Sequence, residues 1–376
     1  MISYDYPSFA ALDGVHASFR CVVMVGVTMS DKSFFKPGFS STFDHGTQRK
    51  TIIIAGGAGF IGSNLCKRLI EAGERVICID NLSTGRSENI AGLIAHPNFA
   101  FYLHDIVKPF GISGPVHQIY NLACPASPPK YQIDPIHTFK TSIIGAVNLL
   151  RVAELKRARI LQSSTSEVYG DPEISPQAES YRGQVNTVGP RACYDEGKRA
   201  TETLFYEMHR QRQIDVRIAR IFNTYGPRMD PDDGRVVSNF IVQALQDQAL
   251  TVYGDGSQTR SFCYIEDMLD GLMALMEADS ALSTISDPVN LGNPGEFNML
   301  ELAQMVREMT DTRADIEFRP LPKDDPHQRR PDIGRAKGLL GWEPHVPLRL
   351  GLMATIPYFR AQIEQGQTLR RGGAVA

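Results

Sequence analysis

Tyr194 and Lys198 stand four residues apart in the stretch Tyr194-Asp195-Glu196-Gly197-Lys198. On a helix this spacing projects both side chains from one face. An ammonium beside a phenol, together with the charge of a nicotinamide, favours the phenolate. Tyr194 could then act as general base for a hydroxyl proton. Upstream, Gly56, Gly59 and Gly62 punctuate the run Gly56-Gly57-Ala58-Gly59-Phe60-Ile61-Gly62. Glycines in such a run allow a tight turn, a close approach of backbone to a pyrophosphate, and close packing of helix on strand. The N–H groups and positive dipole at a helix start then suit phosphates. Asp80 follows about 20 residues on, where an acid accepts hydrogen bonds from ribose hydroxyls. It would repel a 2′-phosphate, which favours NAD over NADP. Arg86 is the counter-signal, because a nearby arginine can accommodate the phosphate, although such a loop arginine is more often solvated or beside the adenine. Glycines, Asp80, Tyr194 and Lys198 in this order point to a dinucleotide-dependent redox step at a hydroxyl-bearing carbon. Lys198 can also hold the nicotinamide ribose.

Such residues need elements to position them. Residues 51–55 are short, apolar and β-branched, and read as a buried strand. A helix is expected over 61–72, closed by Gly73, and a second strand over 74–79, ending at Asp80. Further strands are expected at 100–103, 118–122, 159–162 and 216–221, with long helices at 136–155 and 194–211. Strands alternating with helices predict an α/β fold with a doubly wound, Rossmann-like parallel sheet over residues 48–228. After Gly226-Pro227 the beat breaks up. Short strands near 251–253 and 262–265 mix with helices near 236–247, 267–277 and 299–309, and Pro320, Pro322, Pro326 and Pro331 punctuate a loop-rich stretch. This predicts a smaller mixed α/β substrate domain over 229–365, partly interleaved with the first. Residues 1–47 lack periodicity and are expected to be a disordered extension, and 366–376 a tail.

The 376 residues, 42% hydrophobic, can form one large or two modest cores. The formal net charge is −3. No Lys/Arg block suggests a nucleic-acid face, so an anionic substrate needs a local basic pocket. No apolar run reaches the ~18–20 residues that span a bilayer. The six cysteines form no CxxC pair and read as reduced thiols in a cytoplasmic protein. No metal site is expected. Cys193, beside Tyr194, has the alternative reading of a reactive thiol.

The glycine spacing resembles that of extended short-chain dehydrogenase/reductases. In that resemblance Asp105 matches an adenine contact, although an aspartate that merely caps its loop fits as well. Phe60, Ile61, Asn81 and Leu122 join the cofactor positions. The stretches Asn121–Pro129, Gly189–Arg199 and Arg220–Arg228 resemble the UDP-glucuronate decarboxylase (UDP-xylose synthase) family, and the likeness runs from about residue 51 to 365. Ala55 and Cys124 depart from residues common in relatives. The segment Ser163–Gly170 should end a strand at the carboxyl edge of the sheet, where open α/β sheets bind ligands. Thr165 matches the hydroxyl that bonds the reacting sugar O4. In nucleotide-sugar 4,6-dehydratases the pair at Ser166-Glu167 is Asp-Glu. Serine cannot act as that acid, and Ser-Glu resembles the decarboxylases.

The resemblance further implies Asn223 at the diphosphate, Arg235, Tyr253 and Arg260 around the uridine and phosphates, and Lys140 and Asn148 as weaker substrate contacts. Arg329 matches the arginine beside the sugar carboxylate, with Arg330 its alternative. Implied too are a homodimer packed through the two long helices and a reaction at C4: oxidation, loss of CO2 from the resulting β-keto acid, and re-reduction to UDP-xylose. Release of the 4-keto pentose is the open variant. The rival enzyme is a UDP-hexose 4-epimerase or dehydratase. A non-catalytic NAD sensor is the rival of another class, but it would have no need of Tyr194, Lys198 or Glu167.

Overall fold

The computed structural model describes residues 49–282, 284–320 and 328–372. The extension expected over 1–47, Pro322, Pro326 and the last four residues lie outside them. Six parallel strands come from residues 51–221: β1 (Thr51–Ala55), β2 (Arg75–Asp80), β3 (Phe99–Leu103), β4 (Gln118–Asn121), β5 (Arg159–Thr165) and β6 (Val216–Ile221). All of β1, β2 and β4 is buried, as befits strands covered on both faces. A seventh strand, Val289–Leu291, pairs in parallel with β6. It comes from residues expected in the substrate part. Only three residues long, it offers no period to read. The strands are arranged as seventh–β6–β5–β4–β1–β2–β3. Strand order therefore reverses between β1 and β4, the position at which such sheets open a crevice.

Alternation along the strands feeds two cores. Ile52 and Ile54 face one layer, which includes Leu65 and Leu69 of helix α1 (Phe60–Glu71) and Leu272 and Leu275. Ile53 and Ala55 face the other, with Leu149, Leu150 and Phe205. That second layer holds two long helices. Helix α2 runs through Pro135–Lys140, a π-helical turn at Thr141–Gly145, and Ala146–Lys156. It starts at Asp134, whose carboxylate accepts from the His137 N–H, with Pro135 in the first helical turn. Helix α3 spans Ala192–Arg212. A Cβ on Gly197 would lie 3.1 Å from Ser142, so glycine lets α2 and α3 approach beside Tyr194. The Thr201 hydroxyl donates to the Ser142 carbonyl at 2.8 Å across the same contact.

A third core, including Phe240, Leu250, Leu302, Leu352 and Phe359, supports the C-terminal part. The strand expected at 262–265 is divided there. Thr259–Ser261 pairs with Glu296–Asn298 and Gln328–Arg329, whereas Cys263–Tyr264 pairs with Thr224–Tyr225, and a helix starts at Ile265. The chain changes partner at Phe262, which is buried. The stretch set aside as a tail begins inside a helix, Leu348–Gly372, which carries Pro357 in its interior.

The β1–α1 turn fixes the spacing of the first motif. Gly56 adopts φ +79°, and a Cβ there would come within 2.7 Å of the Leu122 backbone. A Cβ on Gly62 would lie 2.1 Å from the Gly56 carbonyl oxygen. Gly62→Ala is therefore expected to push α1 off the turn, costing roughly 1–3 kcal/mol or more and abolishing dinucleotide binding. Thermal unfolding and NAD titration of the variant check both effects.

Candidate active site

A cleft of about 600 Å³ crosses the carboxyl ends of the strands. Gly56, Gly59, Phe60, Ile61, Gly62, Asp80, Asn81, Asp105 and Leu122 line one end of it. The Asp80 carboxylate accepts from the Ala58 N–H at 2.9 Å and the Leu82 N–H at 2.8 Å. Burial pushes its carboxyl up, against the pull of these N–H groups. Asp105 accepts from the Val107 N–H at 2.9 Å and lies 2.8 Å from Nε2 of His137. It thus caps its loop and borders the cleft at once. A turn that admits no Cβ, beside a buried acid at the end of β2, fits the pyrophosphate and ribose of NAD.

The chemistry-bearing residues meet in mid-cleft. Thr165 is the last residue of β5. Its hydroxyl accepts from the Glu167 N–H at 3.2 Å and is hydrogen-bonded to the Tyr194 phenol. Lys198 donates to the Ser163 carbonyl at 2.8 Å, and its Nζ lies 5.7 Å from the Tyr194 ring centroid. Burial pushes the Tyr194 phenol well up, and its bond to Thr165 only partly offsets this. Burial also lowers the Lys198 ammonium. The ring of Tyr131 stacks on that of Tyr194, with centroids 5.3 Å apart and planes 5° from parallel.

Ser166 and Glu167 open a short 3-10 turn after Thr165. Glu167 is shared by two arginines. Arg329 engages Oε1, and Arg191 donates to Oε2 at 2.5 Å. Burial works against the charge, but Arg329 and Arg191 override it and hold the carboxyl down at about 2. Arg329 reaches the cleft because Gln328–Arg329 pairs with Thr259–Ser261, setting Arg329 opposite Arg260. Arg330 turns away, donating to the Pro294 carbonyl at 3.1 Å and pairing with Glu296. Arg329 is therefore the inward member of the pair.

Asn223, Arg235, Tyr253 and Arg260 line the remaining wall. Arg235 is paired with Asp233, and Arg260 donates to the Thr259 carbonyl at 2.9 Å. Lys140 and Asn148 do not reach the cleft. Lys140 is exposed on α2. The Asn148 amide is consumed by the carbonyls of Ile106, at 2.8 Å, and Val107, at 3.2 Å, so it ties α2 to the loop after β3. Nor does Cys193 suit a reactive thiol, because burial pushes it up. Sequence reasoning assigned no role to Arg191, Tyr131 or His137, all of which line the cleft. Arg191 lies inside the family-like stretch Gly189–Arg199, which was the only signal for it.

A doubly wound sheet with a glycine turn, Asp80, and a Tyr194–Lys198 pair beside Thr165 defines an NAD-dependent enzyme of the extended short-chain dehydrogenase/reductase type. The chain belongs to the NAD dependent epimerase/dehydratase family, whose model matches residues 52–292. It is 54% identical over 320 residues to UDP-glucuronic acid decarboxylase 2 of Arabidopsis thaliana, covering 85% of this chain and 70% of that one. With UDP-glucuronic acid decarboxylase 1 of Danio rerio it shares 55% identity over 316 residues, 84% of this chain and 74% of the relative. The fold is similar to that of UDP-glucuronic acid 4-epimerase from Bacillus cereus, solved with UDP-glucuronic acid and NAD. There the TM-score is 0.73 at 28% identity, over 83% of this chain and 99% of that one.

The Glu167 cluster has a consequence for acid stability. Its folded pKa, about 2, lies below the ordinary glutamate value of 4.5. Ionised Glu167 therefore stabilises the fold fully above pH 4.5, and that contribution is lost as pH falls toward 2. Glu167→Gln leaves two guanidiniums without their carboxylate and should cost ~3 kcal/mol at neutral pH. The stability gap between the two proteins, measured from pH 7 to 2, should narrow below pH 4.5 and close only near pH 2.

Proposed function

We propose that this protein decarboxylates UDP-glucuronate to UDP-xylose through a 4-keto intermediate, with NAD as a cofactor that is not consumed. The observation that carries this reading is the Ser166-Glu167 pair beside Tyr194. Where a dehydratase would need an acid to expel a hydroxyl, Ser166 offers none. Glu167, held at about 2 by its arginines, has no proton to give near neutrality. The 54% identity to decarboxylases over 85% of the chain supports the same assignment.

Bound NAD supplies the oxidation of C4 and its later reversal. Tyr194 takes the O4 proton, with Thr165 as its hydrogen-bond partner. Lys198, held by the Ser163 carbonyl, is the cation that offsets the phenolate. A ketone at C4 lies β to the carboxylate, so its C–C bond can break with the electron pair passing into the carbonyl. Thr165 and Tyr194 then donate to the enolate oxygen. Arg329 faces the carboxylate until CO2 departs, and C5 takes up a proton, so each turnover consumes one proton overall. Asn223, Arg235 and Arg260 hold the diphosphate, since guanidinium forks suit phosphate oxygens, and Tyr253 offers a ring to the uracil.

The proposal extends to a homodimer. Ile136, Phe139 and Ile144 on α2 and Tyr206 on α3 are exposed apolar side chains, suited to packing against a second copy. It also places the protein in the cytoplasm, where the five described cysteines, all free, would stay reduced. Among the described residues no helix is long and apolar enough to cross a membrane.

Incubation with UDP-glucuronate and catalytic NAD should yield CO2 and UDP-xylose, followed by mass and NMR. Tyr194→Phe should lower kcat by ~10²–10⁴-fold. NADH accumulating with a 4-keto pentose would remove the final reduction. Absence of CO2 would overturn the decarboxylase reading in favour of an epimerase acting on UDP-hexoses.

A further inference from the structure

One carboxylate is divided between two guanidiniums, and the division is unequal. Arg191 belongs to the segment that starts α3, where its carbonyl accepts from the Tyr194 N–H at 3.0 Å and the Asp195 N–H at 3.1 Å. Its side chain donates to Oε2 of Glu167. Arg329 takes Oε1. It has a second anchor, the Gly170 carbonyl at 3.2 Å. Its Nε is buried without a partner. Both arginines and Glu167 line the cleft, with side chains only 4–18% exposed. Among the described residues Tyr131, Tyr194, Arg235 and Asp195 also interact electrostatically with this group.

Whether the buried Glu167 carboxylate stays paired is the deciding question. Were Arg329 the only partner of Glu167, the incoming carboxylate could take it only by leaving a buried anion unpaired, which is strongly unfavourable. Arg191 removes that conflict.

Resting on the decarboxylase reading, we propose that Arg191 is a positioning residue that keeps Glu167 paired, so that Arg329 can pass from Glu167 to the substrate carboxylate and return when CO2 leaves. The hand-off favours the carboxylate-bearing substrate over its product. UDP-xylose offers Arg329 nothing, and Glu167 reclaims it.

The test compares affinities for UDP-glucuronate and UDP-xylose by calorimetry on the full-length, NAD-loaded protein carrying Tyr194→Phe, which suppresses turnover during the titration. Arg191→Met should weaken UDP-glucuronate by roughly tenfold or more and leave UDP-xylose within about threefold. Arg191→Lys should recover part of the loss. Adding Glu167→Gln to Arg191→Met removes the competing anion and should restore UDP-glucuronate binding. A loss shared equally by both ligands would mark a merely structural role. Failure of the double variant to recover, or no loss in Arg191→Met, would overturn the hand-off. The Tyr194→Phe protein with no further change showing no preference for UDP-glucuronate over UDP-xylose would overturn both the hand-off and the functional reading beneath it.

Discussion

All seven strands of the large sheet run in one direction, and the rest of the molecule follows from that constraint. Parallel strands end together, so their carboxyl ends form a single edge. The reversal between β1 and β4 parts the flanking helices there. Gly56 follows β1, Asp80 ends β2, Thr165 ends β5, and Asn223 follows β6. Residues far apart in the chain thus meet along one cleft without any of them moving from its strand. Helix α3 then brings Tyr194, Lys198 and Arg191 to that edge as a group.

The cleft also explains how a protein with a net charge of −3 can hold a polyanion. Arg191, Arg235, Arg260 and Arg329 converge there, while Glu167 and Asp233 each pair with arginines. The anions keep the cations in place and ionised inside a poorly solvated site. Burial acts on Tyr194 too, pushing its phenol up.

Much of this was legible in the sequence where spacing encodes geometry. The glycine triplet, Asp80 and the Tyr194–Lys198 interval are each marked by spacing along the chain. Arg191 depends on a partner at Glu167 across an irregular loop, and no period marks it. Arg329 and Arg330 were separable only by the register of a two-residue strand. Asn148 was placed in the site by likeness. A buried amide must satisfy its hydrogen bonds where it stands, and its nearest acceptors were the Ile106 and Val107 carbonyls. Lys140 sits on the outer face of α2, beyond reach of the cleft. Helix Leu348–Gly372 runs through Pro357, a residue that ordinarily argues for a break.

The seventh strand bears on how the protein comes into being. Val289–Leu291 closes the sheet beside β6, more than sixty residues after it in the chain. Asn290, fully buried, accepts from the Tyr169 hydroxyl and donates to the carbonyls of Gln177 and Asp332. During synthesis the first six strands emerge well before this one, so β6 must wait with one edge unpaired. Contacts of such separation slow folding, and an exposed apolar edge invites pairing with other chains. Until Val289–Leu291 arrives, the nascent chain thus presents an edge to which other chains can pair.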